Sequence, residues 1–179
     1  MRIVAFGDTH TQHHALKLPE GDVLIFAGDG EFRNSLELFG FDDWLSGFKY
    51  KLIIAIAGNH DFYCESYPNE VKNYLTKVVY LKDEPHVLPN GMTIWGSPMT
   101  PTFLNWAFME SEDIAQPGGE HLGSKTLAKR IDSLKIPYVI CGHIHGGYGV
   151  DKTKDTTYIN CSVLNEDYQL VNKPVVIDV

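Results

Sequence analysis

The stretch Ile3-Val4-Ala5-Phe6-Gly7-Asp8-Thr9-His10 decides the fold, because an apolar run ends in a glycine and polar side chains follow at once. The pattern recurs at Ala27-Gly28-Asp29, Ala57-Gly58-Asn59 and Cys141-Gly142-His143. In open α/β sheets, buried strands that end in this way gather ligands at the carboxyl ends of the strands. The repetition therefore predicts one metal site where four strand ends converge.

The rest of the chain alternates β-branched or aromatic runs with polar helical stretches, which predicts an α/β fold. Predicted strands cover residues 3–6, 23–27, 52–57, 78–81, 87–88, 92–95, 138–141, 158–161 and 175–177. Predicted helices cover residues 34–45, 70–75 and 125–134, with Ser124 as a cap of the last. Pro89-Asn90-Gly91 favours a tight hairpin. We expect two sheets packed face to face with helices outside, in a single domain over residues 1–179.

Composition limits the possible functions. The formal net charge is −8, and Lys and Arg are scattered, which argues against binding of bulk nucleic acid. No apolar stretch reaches the roughly 18 residues of a membrane span, and the amino terminus enters the first motif directly, so we expect neither a membrane anchor nor a signal peptide. Three cysteines without Cys-x-x-Cys spacing suit a cytoplasmic protein with free thiols. The oligomeric state stays open.

The residue types at the strand ends indicate the kind of metal. The candidate ligands are Asp8, His10, Asp29, Asn59, His143 and His145. This mixed set of oxygen and nitrogen ligands suits an exchangeable Mn, Fe, Zn, Ni or Co ion. It differs from the thiolate ligands of a structural zinc site. Asp29 is the candidate bridge between two ions, which could together activate water and hold a phosphoryl oxygen. The predicted chemistry is hydrolysis of a small phosphate ester.

Other polar residues near these motifs are candidates for further roles. His60 could supply the proton that the leaving group needs, and Asp61 could orient a neighbouring imidazole. Asn34 either caps the helix that follows or contacts phosphate, and Asn105 or Trp106 could contact a nucleobase. We expect His13 and His14, in a polar loop, to be solvated rather than ligating.

Each motif alone has a simpler explanation. An isolated Asp-x-His is usually a capped turn, and alternating histidines on a strand are often ordinary hydrogen-bonded pairs. His143-Ile144-His145 could belong to a histidine-triad hydrolase if a third spaced histidine followed, but Gly147 stands in that place. The occurrence of four motifs in order, each at a predicted strand end, favours the metal site.

The motifs Asp8-Thr9-His10, Gly28-Asp29, Gly58-Asn59-His60-Asp61 and Gly142-His143-Ile144-His145 resemble, in order, the signature of the calcineurin-like metallophosphoesterases. Further segments resemble the metallophosphoesterase-domain-containing (MPPED) branch. They are Asp43-Trp44-Leu45, Gly96-Ser97-Pro98-Met99-Thr100-Pro101, Asn105-Trp106-Ala107-Phe108, Gly146-Gly147-Tyr148-Gly149 and Tyr158-Ile159-Asn160.

The resemblance implies a four-layer α/β/β/α sandwich with a dinuclear site. The first ion would take Asp8, His10, Asp29 and His145, and the second would take Asp29, Asn59 and His143. His60 would contact the substrate phosphate or the leaving group. The resemblance also implies hydrolysis of phosphodiesters, since MPPED proteins hydrolyse them, including 2′,3′-cyclic and sometimes 3′,5′-cyclic nucleotides, often weakly and with Mn.

One element of the family pattern is absent from the sequence. The family has a further strand, ending in a histidine turn, before the Gly-His-x-His motif, and no such apolar run lies between Ser97 and Tyr138. The strand and its ligand are predicted to be deleted, with His121 as a possible surrogate, so the second ion is expected to bind more weakly than the first. The main hypothesis is a phosphodiesterase. The alternative is a degenerate fold that serves as a metal-binding, nucleotide-binding or regulatory module, and a nuclease is disfavoured by the acidic charge.

Overall fold

A five-stranded sheet forms the centre of the computed structural model, which describes residues 1–102, 104–110 and 124–179. Its strands are, in spatial order, β12 (Val175–Asp178), β1 (Arg2–Phe6), β2 (Val23–Phe26), β3 (Leu52–Ala55) and β4 (Val79–Tyr80). Strands β1 to β4 are parallel and β12 is antiparallel to β1. Phe6 pairs with Phe26, and Phe26 with Ala55, so the carboxyl ends of β1, β2 and β3 lie side by side.

Both faces of this sheet are buried, because alternate side chains enter two separate cores. Phe6 and Phe26 belong to the core that contains the buried side chains of α1 (Ser35–Ser46), α2 (Phe62–Ser66) and α3 (Pro68–Tyr74). Ile3 and Ile25 belong to the core on the opposite face, which includes Ile159 of the second sheet. The first sheet is thus enclosed between helices and a second layer of strands.

The second layer of strands comes from the later part of the chain. A three-stranded sheet has the order β10 (Gly149–Lys152), β11 (Thr157–Asn160) and β9 (Tyr138–Cys141). Two strand pairs accompany it, β5 (Glu84–Val87) with β6 (Thr93–Gly96) and β7 (Thr100–Pro101) with β8 (Met109–Glu110). A parallel bridge joins Gly7 to Ser162, so the end of β1 is tied to the segment that follows β11.

The α/β class predicted from the sequence is confirmed. Asn34 accepts backbone N–H bonds as the cap of α1, Ser124 caps α4 (Lys125–Leu134), and Gly91 adopts a φ of +85° in the β5–β6 hairpin. The predicted helix over residues 70–75 begins earlier, at Pro68, since proline is favoured in the first turn of a helix. Helix α2 and strand β10 were not predicted, because both are short and neither has a clear apolar period.

Two other expectations concern helix α4 and the region of the predicted deletion. Helix α4 has no buried residue, so it adds little to either core. His121 and most of the region of the predicted deletion lie outside the described residues. Within the described ranges, no helix has the length and apolar character required to cross a lipid bilayer.

Candidate metal centre

The candidate ligands follow the ends of neighbouring strands. Asp8 comes after β1, Asp29 after β2 and Asn59 after β3, while His143 follows β9 of the second sheet. The backbone φ is positive at four of them: +54° at Asp8, +39° at His10, +58° at Asp29 and +73° at His143. This left-handed backbone costs non-glycine residues about 1–3 kcal/mol each and is found where a site requires it. The strand ends are therefore bent to turn the ligand side chains inward.

Glycines allow the carboxylates to approach the neighbouring strand ends. A Cβ atom at Gly58 would collide with the carboxylate of Asp29, and one at Gly142 would collide with Oδ2 of Asp8. Each carboxylate thus lies directly against the backbone of another motif. The recurrent glycines follow from this close packing as well as from the turns.

Two groups of ligand atoms lie close enough to share an ion. The ligand atoms of Asp8, His10 and His145 all lie within 4.8 Å of one another, and so do those of His10, Asp29 and His60. Nδ1 of His143 lies 2.6 Å from Oδ1 of Asn59. The structure therefore brings together three ligands predicted for the first ion, pairs His143 with Asn59, and groups Asp29 with His10 and His60.

Hydrogen bonds hold these side chains in place around Asp8. Oδ1 of Asp8 accepts the backbone N–H of His143 at 2.7 Å, and Oδ2 accepts the hydroxyl of Ser162 at 2.8 Å. Nδ1 of His145 lies 2.9 Å from the carbonyl oxygen of Asn165, and Nε2 lies 3.5 Å from Oδ1 of Asp8. Because the carbonyl can only accept, Nδ1 carries the proton and Nε2 is directed to the site.

The electrostatics of the centre fit a divalent cation. Burial raises the pKa of Asp29 well above its ordinary value, and repulsion from Asp61 and Asp8 adds to the shift. Burial lowers the pKa of His10 to about 4, and both of its ring nitrogens are buried without a hydrogen-bond partner. A neutral imidazole beside crowded carboxylates is a donor set that a cation would satisfy.

The other two histidines of the carboxyl-terminal motif differ in their titration. Burial lowers the pKa of His143, whereas the hydrogen bond with Asp8 raises the pKa of His145. Nε2 of His145 and Oδ1 of Asp8 lie 3.5 Å apart, so a cation and a proton would compete for the position between them.

The site opens into a pocket of about 210 Å³. It is lined by Asp29, His60, Trp106, His143, His145, Glu166 and Tyr168. The rings of His60 and Trp106 lie 4.4 Å apart, and the ring of Tyr168 lies 4.8 Å from that of His10 and 5.0 Å from that of His145. Glu166 and Tyr168 were not predicted, because they lie in a polar loop that has neither a strand-end glycine nor a metal-binding spacing.

Several other candidates have different surroundings from those predicted. Asp61 is fully buried, and its carboxylate accepts the backbone N–H groups of Gly58, Asp29 and Phe32 at 2.8–3.0 Å, so its hydrogen bonds hold the loops rather than an imidazole. Asn34, the cap of α1, and Asn105 are both exposed and do not line the pocket.

The expectation that His13 is solvated is wrong. His13 is 7% exposed, and its ring packs 5.1 Å from that of Phe41 and 5.0 Å from that of Trp44. His14, beside it, is exposed as expected. His13 packs against both Phe41 and Trp44 of α1, whereas the ring of His14 lies farther from Trp44, at 6.3 Å.

Comparison with known proteins identifies the class of protein as a metallophosphoesterase. The sequence profile of the family described as calcineurin-like phosphoesterase matches residues 1–147, and the chain belongs to this family. Human metallophosphoesterase domain-containing protein 1 is 33% identical to it, over 99% of this chain and 70% of the relative. A UPF0046 protein of Caenorhabditis elegans is 29% identical, over 98% of this chain and 74% of the relative.

Solved structures share the fold at low sequence identity. A structure described as that of a novel archaeal phosphodiesterase has a TM-score of 0.54 and 16% identity, and the match covers 99% of this chain and all of the other. Another solved structure, a crystal structure, has a TM-score of 0.59 and 14% identity, with 89% of each chain covered. At these identities the likeness concerns the fold alone.

Proposed function

We propose that the protein hydrolyses small phosphodiesters, such as cyclic nucleotides, with divalent metal, most simply Mn, held at two positions. The observation that carries the proposal is that two groups of candidate ligand atoms, Asp8 with His10 and His145 and His10 with Asp29 and His60, lie beside a pocket that Asp29, His60, His143 and His145 line. Family membership supports metal-dependent hydrolysis in general. The solved neighbour described as a phosphodiesterase supports the choice of diesters.

The chain's own residues would position the ions and the phosphate. Asp8, His10 and His145 would hold the first ion, Asn59 and His143 would hold the second, and Asp29 would contact both. Divalent ions in such a site activate water and neutralise charge on the phosphoryl oxygens. The crowding that raises the pKa of Asp29 supports this assignment, because cations would relieve the repulsion.

His60 would act on the leaving group. Its ring lines the pocket, and the contact with Trp106 at 4.4 Å fixes its orientation. Burial lowers the pKa of His60 in the protein alone. An anionic ester beside the ring would raise that pKa, which would favour the protonated form needed to neutralise the departing alkoxide.

The size of the pocket and the net charge of the chain favour a small substrate. A pocket of about 210 Å³ accommodates one phosphodiester group with a compact organic part. A long nucleic acid would need a basic surface along its path, and the net charge of −8 does not favour one.

Hydrolysis assays test the proposal directly. Protein loaded with Mn is expected to hydrolyse bis(p-nitrophenyl) phosphate and members of a panel of 2′,3′- and 3′,5′-cyclic nucleotides, and a chelator should abolish the activity. Protein stripped of metal and then reloaded is the control for damage by the chelator. If metal binds but no ester is hydrolysed, the phosphodiesterase is rejected.

The second candidate is a binding or regulatory module, favoured by the absence of the family's further ligand histidine from the sequence. Calorimetric titration with Mn should show one tight site and one weaker site if three protein ligands hold the second ion. His121→Ala tests the surrogate ligand, with His86→Ala as the matched control. Unchanged stoichiometry and affinity in His121→Ala would show that His121 is not a ligand. If metal binds but none of the esters is hydrolysed, the binding or regulatory module is favoured.

A further inference from the structure

The loop of residues 165–169, which follows the second sheet, forms a fixed wall of the pocket. Oδ1 of Asn165 accepts the backbone N–H groups of Asp167 at 3.1 Å and Gln169 at 2.8 Å, so one side chain defines the turn. The carbonyl oxygen of Asn165 lies 2.9 Å from Nδ1 of His145. The loop is thus attached directly to a candidate metal ligand.

Tyr168 strengthens this attachment. Its ring contacts the rings of His10 and His145 edge to face, and Nε2 of Gln12 donates to its carbonyl oxygen at 3.0 Å. The φ of Tyr168 is +58°, an uncommon value that these contacts hold in place. Movement of the loop would break contacts on both sides of the site, so its side chains have defined positions relative to the ligands.

Glu166 places a carboxylate on this wall. Glu166 is exposed and lines the same pocket as Asp29, His60 and His143. It also lies across Gly146, where an added Cβ atom would come within 2.8 Å of Oε1 of Glu166. Among the ion pairs of the described residues, none involves Glu166, so within that part of the chain no Lys or Arg neutralises it.

We infer that Glu166 determines specificity by disfavouring phosphate groups that carry two negative charges. A phosphodiester carries one charge, whereas a monoester has a second pKa of about 6 and carries nearly two at neutral pH. Coulomb repulsion is proportional to the product of the charges, so the carboxylate repels the monoester about twice as strongly. The inference rests on the proposed function and identifies monoanionic diesters as the preferred class.

The decisive measurement is binding, which does not require hydrolysis. Phenyl phosphate and methyl phenyl phosphate differ by one methyl group and one charge, and their affinities for Mn-loaded protein can be measured by calorimetry at pH 8. In Glu166→Gln we expect phenyl phosphate to bind about five-fold more tightly, relative to methyl phenyl phosphate, than in the wild type. Asp167→Asn, in the same loop but outside the pocket lining, removes the same charge and should leave this ratio unchanged.

Kinetics provide a second measurement. The ratio of kcat/KM for bis(p-nitrophenyl) phosphate to that for p-nitrophenyl phosphate should fall about five-fold in Glu166→Gln. Equal metal content in wild type and variant shows that the ligands are intact. An unchanged ratio in both measurements, or the same shift in Asp167→Asn, overturns the inference.

The outcomes separate the inference from the proposed function. If the wild type hydrolyses no ester but the binding ratio still shifts in Glu166→Gln, the phosphodiesterase proposal fails and the role of Glu166 stands. If diesters are hydrolysed and neither ratio shifts, the role of Glu166 fails alone. If neither aryl ester binds to the metal-loaded wild type, the inference is overturned as well.

Discussion

The two halves of the candidate metal centre differ in how deeply they are buried. The four ligands that follow β1, β2 and β3 are at most 5% exposed, whereas His143, after β9, is exposed. The cause is the position of the strands. β1 to β3 lie inside a sheet covered on both faces, while β9 is the edge of a three-stranded sheet and is only partly buried.

This difference assigns different tasks to the two halves. The amino-terminal half, Asp8, His10, Asp29 and Asn59, forms a buried cradle for the ions. Its charged groups destabilise the fold unless a cation is present. The carboxyl-terminal half completes the cradle with imidazoles from a less buried strand. Changes in the buried half should therefore alter both metal binding and stability, whereas changes at the rim should alter mainly selectivity or affinity.

The largest effect is expected for Asp29→Asn. Loss of the ligand between the two ion positions should reduce metal affinity and hydrolysis by more than ~100-fold, beyond the effect of losing an outer-shell partner. The metal-free variant should nevertheless be more stable than metal-free wild type at pH 8, because the buried charge has gone. Metal content, hydrolysis and thermal unfolding with and without Mn measure these opposite effects.

The pH dependence fixes the sign of this prediction. The pKa of Asp29 in the fold is raised above its unfolded value of 3.8. Metal-free wild type should therefore lose stability as pH rises above that value towards the folded pKa, and the variant should not. Asp43→Asn, on the exposed face of α1, is the matched control. A metal-free Asp29→Asn protein less stable than wild type at pH 8 would contradict the account of the cradle.

His60→Asn tests the boundary between the cradle and the pocket. We expect about a 100-fold loss of kcat for cyclic nucleotides, whose alkoxide leaving group needs a proton. The loss should be much smaller for bis(p-nitrophenyl) phosphate, whose leaving group is a weak base. His86→Asn is the control. An equal loss on both substrates, together with loss of metal, would make His60 a ligand instead.

A smaller effect concerns the stability contributed by His13, which is not a candidate ligand. Burial lowers the pKa of His13 from 6.5 to about 4, so the fold favours its neutral form. The stability contributed by this residue is therefore lost as pH falls from 6.5 through 4. His13→Phe should remove that loss, and its advantage over wild type should grow by about 2 kcal/mol between pH 7 and pH 5.

Chemical denaturation at the two pH values measures this difference, and His14→Phe is the control because His14 is exposed. A gain that is the same at pH 7 and pH 5 would assign the effect to packing against Phe41 and Trp44 rather than to titration.

The strand-end ligands of both halves were predictable from sequence. The strand ends that carry Asp8 and Asp29 are local patterns, in which an apolar run stops at a glycine, so they can be recognised without knowledge of the fold. The burial of His13 depends on α1, which packs over it from a distant part of the chain. Glu166 and Ser162 reach the site because the bridge at Gly7 brings their segment to the end of β1, and no periodicity in the sequence encodes that contact.

Ser162 offers the smallest of these tests, because it acts on an ion only through a ligand. Its hydroxyl is fully buried and donates to Oδ2 of Asp8 at 2.8 Å. Ser162→Ala should weaken the tighter metal site by about ten-fold, at the lower end of the range for outer-shell partners. Ser133→Ala, whose hydroxyl bonds only to backbone within α4, is the control. Unchanged affinity in Ser162→Ala would show that the N–H of His143 orients Asp8 sufficiently, and the tie between the two halves would then be structural rather than a determinant of metal binding.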